Sequence, residues 1–456
     1  MAGNPFADLL RDVRERHHLS QIELAAGRCT RAHVSAIEQG YGRPSGLLLR
    51  HFLERLPERR ALAEAFCASF APRPDWLHAG IYLAMKGERE GAYAVLQAMG
   101  RASDPSSPPW AGFADRAQGW SRYLAGEVDR ALDLLTAAVD LHRRTGRYQE
   151  AGRTLWELGL MVTETAPSPD ALLLFKEARE TWGNAAEARE QRFHAVVFHS
   201  EARALRRMGY YRRAQEAATK ACRLYRAAGD LAGEGHALLE RAYAAHEDRR
   251  RDMLRPLAEH ALDLFQRSDH HECLGVAELA VGIGLLDGGE SGVQMAAARI
   301  ERAQSLLAAS PGGREAHALS ELARLAWAQG DLQTARSHLH RALEQPASSR
   351  ERAAQICLAA AVGLRDWPPS RQEIAGLGWA LASPWERHAF FQSAARFCER
   401  LNRWRWAAEL GRLIHQVYEG AAWSTASGGS PRPFWSLFLD TRGRRAGSGQ
   451  GVRRNR

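Results

Sequence analysis

The side chains best placed to do chemistry lie in the first forty-odd positions. Arg31 carries a planar guanidinium that can donate two parallel hydrogen bonds, a match for the O6/N7 edge of guanine. It directly follows Thr30, whose hydroxyl is suited to cap a helix, and it is followed by Ala32, His33, Ser35 and Ala36. Upstream, Ser20 and Glu23 have the spacing of a capping box, with Gln21 as the first residue after the cap. Two short capped helices joined by a turn that contains Gly27 form the unit that sets a helix in the DNA major groove. Apolar positions three or four apart predict a core of Phe6, Leu9, Leu10, Val13, Leu24, Ala25, Val34 and Ile37. That core leaves Arg31, Ala32, Ser35 and Ala36 on the outer face, where base edges are read.

Other clusters point to bland chemistry. Asp269-His270-His271-Glu272-Cys273 holds potential metal ligands, but it follows Ser268 at a predicted turn and reads as a solvated loop. His338 and His340 face different sides of a helix, and His194 and His199 fit no ligand spacing. There is no GxSxG, Walker A loop, HExxH, or GxGxxG after a strand, so neither catalysis, a metal nor a cofactor is expected. The six cysteines are scattered without a CxxC and read as reduced thiols.

The elements that must carry these residues are helical. Residues 5–56 read as four short helices and 60–70 as a fifth, giving a small head over 1–70. From 75 to 418 the chain is rich in Ala, Leu, Glu and Arg and poor in β-branched runs. A turn signal followed by a small residue recurs along this body. Gly126-Glu127-Val128-Asp129-Arg130-Ala131 returns at Gly209–Ala214 and Gly330–Ala335, with Ala92, Ala171 and Ala407 closing further copies. A second set of turns falls at Gly146, Gly183, Gly229 and Ser268. Each unit of about forty residues is therefore a helix pair that cannot bury its apolar stripe alone, and neighbours must stack into an α-solenoid. Seven to nine pairs are expected, and the fold class is all-α. Residues 419–456 are rich in Gly, Ser, Pro and Arg and read as a basic flexible tail. Within it, Phe434–Leu439 is a short apolar plug expected to dock on the last repeat.

The net charge of +9 comes from the ends. Residues 1–60 hold ten Arg against seven acids, and the last sixteen hold six Arg and no acid. The central body is close to neutral, which excludes a broad phosphate-binding surface along it. No stretch approaches the ~20 apolar residues that span a bilayer, and Met1–Pro5 has no secretory pattern. A cytoplasmic protein without membrane contact is expected.

Residues 6–56 resemble the Cro/repressor-type (XRE) helix-turn-helix domain, with a turn, Ala26-Gly27-Arg28-Cys29, one residue shorter than its commonest form. The resemblance implies DNA contacts from Ser20, Gln21, Thr30, Arg31, Ala32, His33, Ser35, Ala36 and Arg43, the last to phosphate. It also implies a structural pair, Arg14 with Glu38. Such a head followed by tetratricopeptide-like (TPR) repeats resembles the RRNPP group of bacterial regulators. That resemblance implies a homodimer on double-stranded DNA and a short signalling peptide or protein ligand in the repeat groove. Asn side chains commonly grip such peptides. This chain has four Asn, of which only Asn184 lies in mid-solenoid, so Arg, Gln or His would have to hold one. The alternative is a TPR-type interaction scaffold whose head no longer binds DNA.

Overall fold

The computed structural model describes residues 4–71, 73–85, 89–101, 112–165, 169–183, 187–268, 271–286, 289–308, 315–345 and 404–419, with isolated positions between 355 and 399. Among these residues the fold is all-α, with no strand. The chain forms two compact units, Met1–Met161 with Leu173–Asn184, and Val162–Leu172 with Ala185–Arg456.

The first unit opens with five short helices: α1 (Pro5–Arg16), α2 (Gln21–Ala25), α3 (Arg31–Glu38), α4 (Gly46–Arg55) and α5 (Arg59–Ser69). Side-chain caps start four of them. Asn4, Ser20, Thr30 and Ser45 each accept from a backbone N–H of the first turn, satisfying donors that would otherwise be orphaned. Phe6, Leu10, Val13, Leu24, Val34, Ile37, Leu49 and Phe52 are fully buried between them, whereas Leu9 is only half-buried. The head does not end as a separate body. Phe66 of α5 lies edge-on to Phe6 at 5.2 Å and packs against Trp76 at 4.4 Å. Trp76 closes a single 3-10 turn, Pro74–Trp76, that leads into the repeats.

The repeats run as seven helix pairs among the described residues. They are α6 (Leu77–Met85) and α7 (Arg89–Arg101), α8 (Phe113–Leu124) and α9 (Val128–Arg144), and α10 (Tyr148–Thr165) and α11 (Pro169–Trp182). There follow α12 (Ala188–Arg207) and α13 (Tyr211–Ala227), α14 (Leu231–Glu247) and α15 (Leu254–Arg267), α16 (His271–Leu285) and α17 (Gly289–Ala308), and α18 (Glu315–Gln329) and α19 (Leu332–Glu344). A later helix, α20, spans Trp404–Glu419. Gly126, Gly209 and Gly330 take positive φ (88°, 84° and 88°) at the turns, a conformation that costs glycine little. Ala92, Ala131, Ala171, Ala214 and Ala335 are each fully buried, so the second helix of each pair can lie close on the first. The turn after α14 departs from this pattern, with Arg249 taking the left-handed conformation (φ 65°) where other turns use glycine.

Buried ion pairs tie the first helices of successive pairs together. Arg116 of α8 is fully buried and donates to Glu150 (2.7 Å) and Glu157 (2.8 and 2.5 Å) of α10. Trp120 adds an N–H to the same Glu157 carboxylate at 2.9 Å. The second unit repeats the arrangement. Arg206 of α12 donates to Glu240 and, at 2.9 Å, to Glu247 of α14. In both units the two carboxylates lie 34 and 41 residues beyond the arginine. Burial would raise the Glu150 and Glu240 carboxyls, but Arg116 and Arg206 beside them hold each below the usual range.

His142 of α9 is buried without compensation. Its ring lies edge-on to Phe113 at 5.1 Å, and among the described residues neither ring nitrogen has a hydrogen-bond partner. Burial, with Arg116 adding to it, pushes this imidazole down to about 4 from an ordinary 6.5. The unfolded chain therefore binds the proton more readily, and stability falls as pH drops from about 6.5 towards 4. The loss attributable to His142 is on the order of 3 kcal/mol. His142→Leu should lessen the pH dependence of thermal unfolding across that window, with His78, which burial also pushes down to about 4, supplying part of what remains. An unchanged pH profile in the variant would remove His142 as a titrating group.

Candidate nucleic-acid interface

The N-terminal turn of α3 is presented to solvent. Thr30 Oγ1 accepts from His33 N at 3.2 Å, and Arg31, Ala32 and His33 are exposed. Among the described residues the Arg31 guanidinium has no hydrogen-bond or ion-pair partner, so it is free to bond outward. Ser35 and Ala36 are half-buried. Ser35 Oγ accepts from Gln39 Nε2 at 3.2 Å, and the Ala36 carbonyl accepts from Tyr41 N and Gly42 N at 2.9 Å each. Helix α2 is a single capped stretch. Ser20 Oγ accepts from Glu23 N at 3.1 Å, and Glu23 Oε2 accepts from Ser20 N at 2.7 Å. The Ser20 backbone N–H first, and then the Ser20 hydroxyl, hold the Glu23 carboxyl below its usual range. The turn to α3 is made by Ala26 (φ 39°) and Gly27 (φ 73°).

One buried ion pair sets the angle between these helices. Arg14 of α1 meets Glu38 of α3 through Nε–Oε1 at 2.5 Å and Nη2–Oε2 at 3.1 Å, and donates from Nη1 to Leu19 O at 2.9 Å. Gln21 Nε2 donates to the same Glu38 carboxylate at 2.8 Å. The structure thus brings Arg14, Gln21 and Glu38 together on α1, α2 and α3. The Gln21 side chain is spent, at least in part, on holding the head rather than pointing outward. The hydrogen bond to Glu38 raises the Arg14 guanidinium further above its ordinary value.

Arg43 lies in the loop between α3 and α4. Its guanidinium donates to the Ala71 carbonyl and lies over the rings of Phe70 (5.7 Å) and Trp76 (5.9 Å). It is exposed yet engaged within the first unit.

The second unit holds a polar layer that sequence reasoning missed. Besides Arg206, Glu240 and Glu247, it includes Tyr243, whose ring lies 5.9 Å from the Arg206 guanidinium. Arg203 and Arg207 both pair with Glu164, at 2.5 and 2.8 Å. His199, His236 and Cys273 occupy α12, α14 and α16 at equal spacing. The His199 and His236 rings are 6.2 Å apart, and Cys273 Sγ is 3.3 Å from His236 Nε2. The only advance signal would have been an Arg with Glu at both 34 and 41 positions downstream, repeated once. Among the described residues no group of three His, Cys, Asp or Glu is placed to hold a metal ion. Of the cluster at 269–273, Asp269 and His270 lie outside the described residues, as do the side chains of His271 and Glu272. His340 pairs with Glu344 at 3.2 Å, and the neighbouring His338 is half-buried. Asn184, the apolar segment Phe434–Leu439 and the tail over 420–456 also lie outside the described residues.

No family model matches the chain, and no curated protein matches its sequence. Solved structures do. A Rap protein complexed with Competence and Sporulation Factor is 11% identical over 91% of this chain and 98% of its own, with a TM-score of 0.49. The apo form of the quorum sensor NprR from B. thuringiensis is 12% identical over 89% of this chain and 100% of its own (TM-score 0.40). Bacillus thuringiensis PlcR, in complex with the peptide PapR7 and DNA, is 16% identical over 60% of this chain and 99% of its own (TM-score 0.34). At these identities and TM-scores the likeness carries no role over to this chain. Among the described residues no helix is long and apolar enough to cross a membrane.

Glu38→Ala should destabilise the head by about 3 kcal/mol, because it leaves the buried Arg14 with only the exposed Glu15 as counter-charge. The double change Arg14→Met, Glu38→Leu should recover most of that loss. Equal unfolding midpoints for wild type and Glu38→Ala in a denaturant titration would show that the pair does not hold the head.

Proposed function

We propose that this chain is a sequence-specific DNA-binding transcription regulator of the cytoplasm. The head reads the major groove with the first turn of α3. The repeats supply a homodimer contact and receive a short peptide or a protein partner. No catalysis and no cofactor enter this reading. The observation that carries it is the exposed, unpartnered Arg31 at the capped start of a helix whose orientation is fixed by a buried ion pair. The guanidinium is free to bond outward, and the pair on α1 and α3 sets where it points, which is the preorganisation that base reading requires. Ala32 offers only a methyl contact, so Arg31 carries most of the hydrogen-bonded discrimination. One head makes few base contacts. Two heads on half-sites one helical turn apart, ~34 Å, supply the rest.

The neutral body of the chain supports the division of labour, because it offers DNA no extended basic surface. A peptide partner in the second unit would meet the polar layer of Arg203, Arg207 and Tyr243, whose donors suit carboxylates and backbone carbonyls.

Arg31→Ala should lower the preference for operator over scrambled duplex by about 1–3 kcal/mol while leaving thermal unfolding unchanged. Full retention of that preference would remove Arg31 from the reading set. Affinity for duplex should also fall linearly on a log-log plot against salt. A flat plot would favour the interaction-scaffold reading instead.

A further inference from the structure

Three features of the first unit converge on the short connector between the head and the first repeat. Arg43 donates to the Ala71 carbonyl and lies over Phe70 and Trp76. Asp75 Oδ2 accepts from Gly46 N at 2.7 Å, at the first residue of α4. Gly46 is pressed so closely on the connector that a Cβ there would lie 1.9 Å from the Asp75 carbonyl oxygen. The connector is therefore seated on the loop that follows α3 and on the start of α4. Trp76, fully buried against Phe66, anchors it, and α6 begins at the next residue, Leu77.

Arg43 differs from two of the buried arginines of this unit. Arg14 and Arg116 are buried and each meets a carboxylate. Arg43 is exposed, and among the described residues no carboxylate neutralises it. It is held by a neutral carbonyl and two ring faces alone. A phosphate would offer the same guanidinium a full negative charge, and charge-assisted hydrogen bonds are roughly twice as strong as neutral ones. Arg43 is thus held by contacts that a DNA backbone can outbid once the connector loosens.

We propose that Phe70, Ala71, Asp75 and Trp76 act as an intramolecular latch on Arg43, so that their seating and engagement of a DNA phosphate by Arg43 exclude one another. The proposal rests on the DNA-reading function above and specifies how that function is regulated. Because the connector runs directly into α6, a change in the first repeat that shifts Asp75 or Trp76 releases Arg43. By reciprocity, DNA that captures Arg43 loosens the connector. The latch needs no new contact between head and ligand. It needs only that the connector have a seated arrangement and a released one.

The test is a thermodynamic cycle on the full chain, with a short random-sequence DNA duplex at fixed low salt as the probe. Phe70→Leu removes one ring from under the guanidinium, and thermal unfolding checks that the fold survives. Asp75→Ala, which frees the start of α4 without opening the Phe66–Trp76 core, is the second latch variant. Phe70→Leu should tighten DNA binding about 2- to 5-fold, the range of an exposed cation–π contact. Arg43→Ala should weaken binding, and adding Phe70→Leu to it should change nothing further. Asp75→Ala should act in the same direction as Phe70→Leu. Equal tightening with and without Arg43, or no tightening from either latch variant while the wild type binds DNA, overturns the latch and leaves the DNA reading standing. Folded wild type and latch variants that all fail to bind the duplex overturn both.

Discussion

The constraint on which this molecule depends is that Arg14, Arg116 and Arg206 must find carboxylates on other helices. Removing a guanidinium from water costs several kcal/mol unless a counter-charge and further hydrogen bonds repay it. Arg14 finds Glu38, Arg116 finds Glu150 and Glu157, and Arg206 finds Glu240 and Glu247. Apolar stripes alone would let a helix pair slide on its neighbour, because alanine-rich surfaces are smooth. A fork of donors that must meet two oxygens does not slide. In the head the same device fixes α1 against α3, and so fixes where Arg31 points.

The head and the repeats use this constraint for different ends. In the head, Gln21 joins the Arg14–Glu38 pair and ties the short α2 to α3, so three elements are held together. In the repeats, the ties run from the first helix of one pair to the first helix of the next, leaving the second helices to pack through small residues such as Ala131 and Ala214. Arg43 is held otherwise, since among the described residues a carbonyl and two rings hold it and no carboxylate does.

Much of the fold was legible in the sequence, and the physical reasons are plain. A turn that needs positive φ selects glycine, and close helix packing selects alanine, so Gly126 with Ala131 and Gly209 with Ala214 announce their pairs. Between Ala214 and Ala335 the signal lapses. One reason is visible in the turn after α14, where Arg249 adopts the left-handed conformation and hides the glycine mark. The head's helices were legible from their caps, Ser20 and Thr30, because a cap is a local interaction between near neighbours. The Arg116 and Arg206 clusters were not, because their partners lie 34 and 41 residues away and helical spacing says nothing about the next repeat. The engagement of Arg43 by the connector was hidden for the same reason. Leu9, placed in the core by its spacing, is half-buried in the structure, because the period marks a face and not its edge.

The central claim is that the head reads DNA sequence, and the most direct test is to let the protein choose. Purified full-length chain is mixed with fragmented genomic DNA of its source organism, and the retained fragments are sequenced. The account predicts a short shared site, arranged as two half-sites about one helical turn apart, with loss of that shared site in Arg31→Ala. Retained fragments that share no site, or wild-type and Arg31→Ala proteins that select the same one, would contradict it.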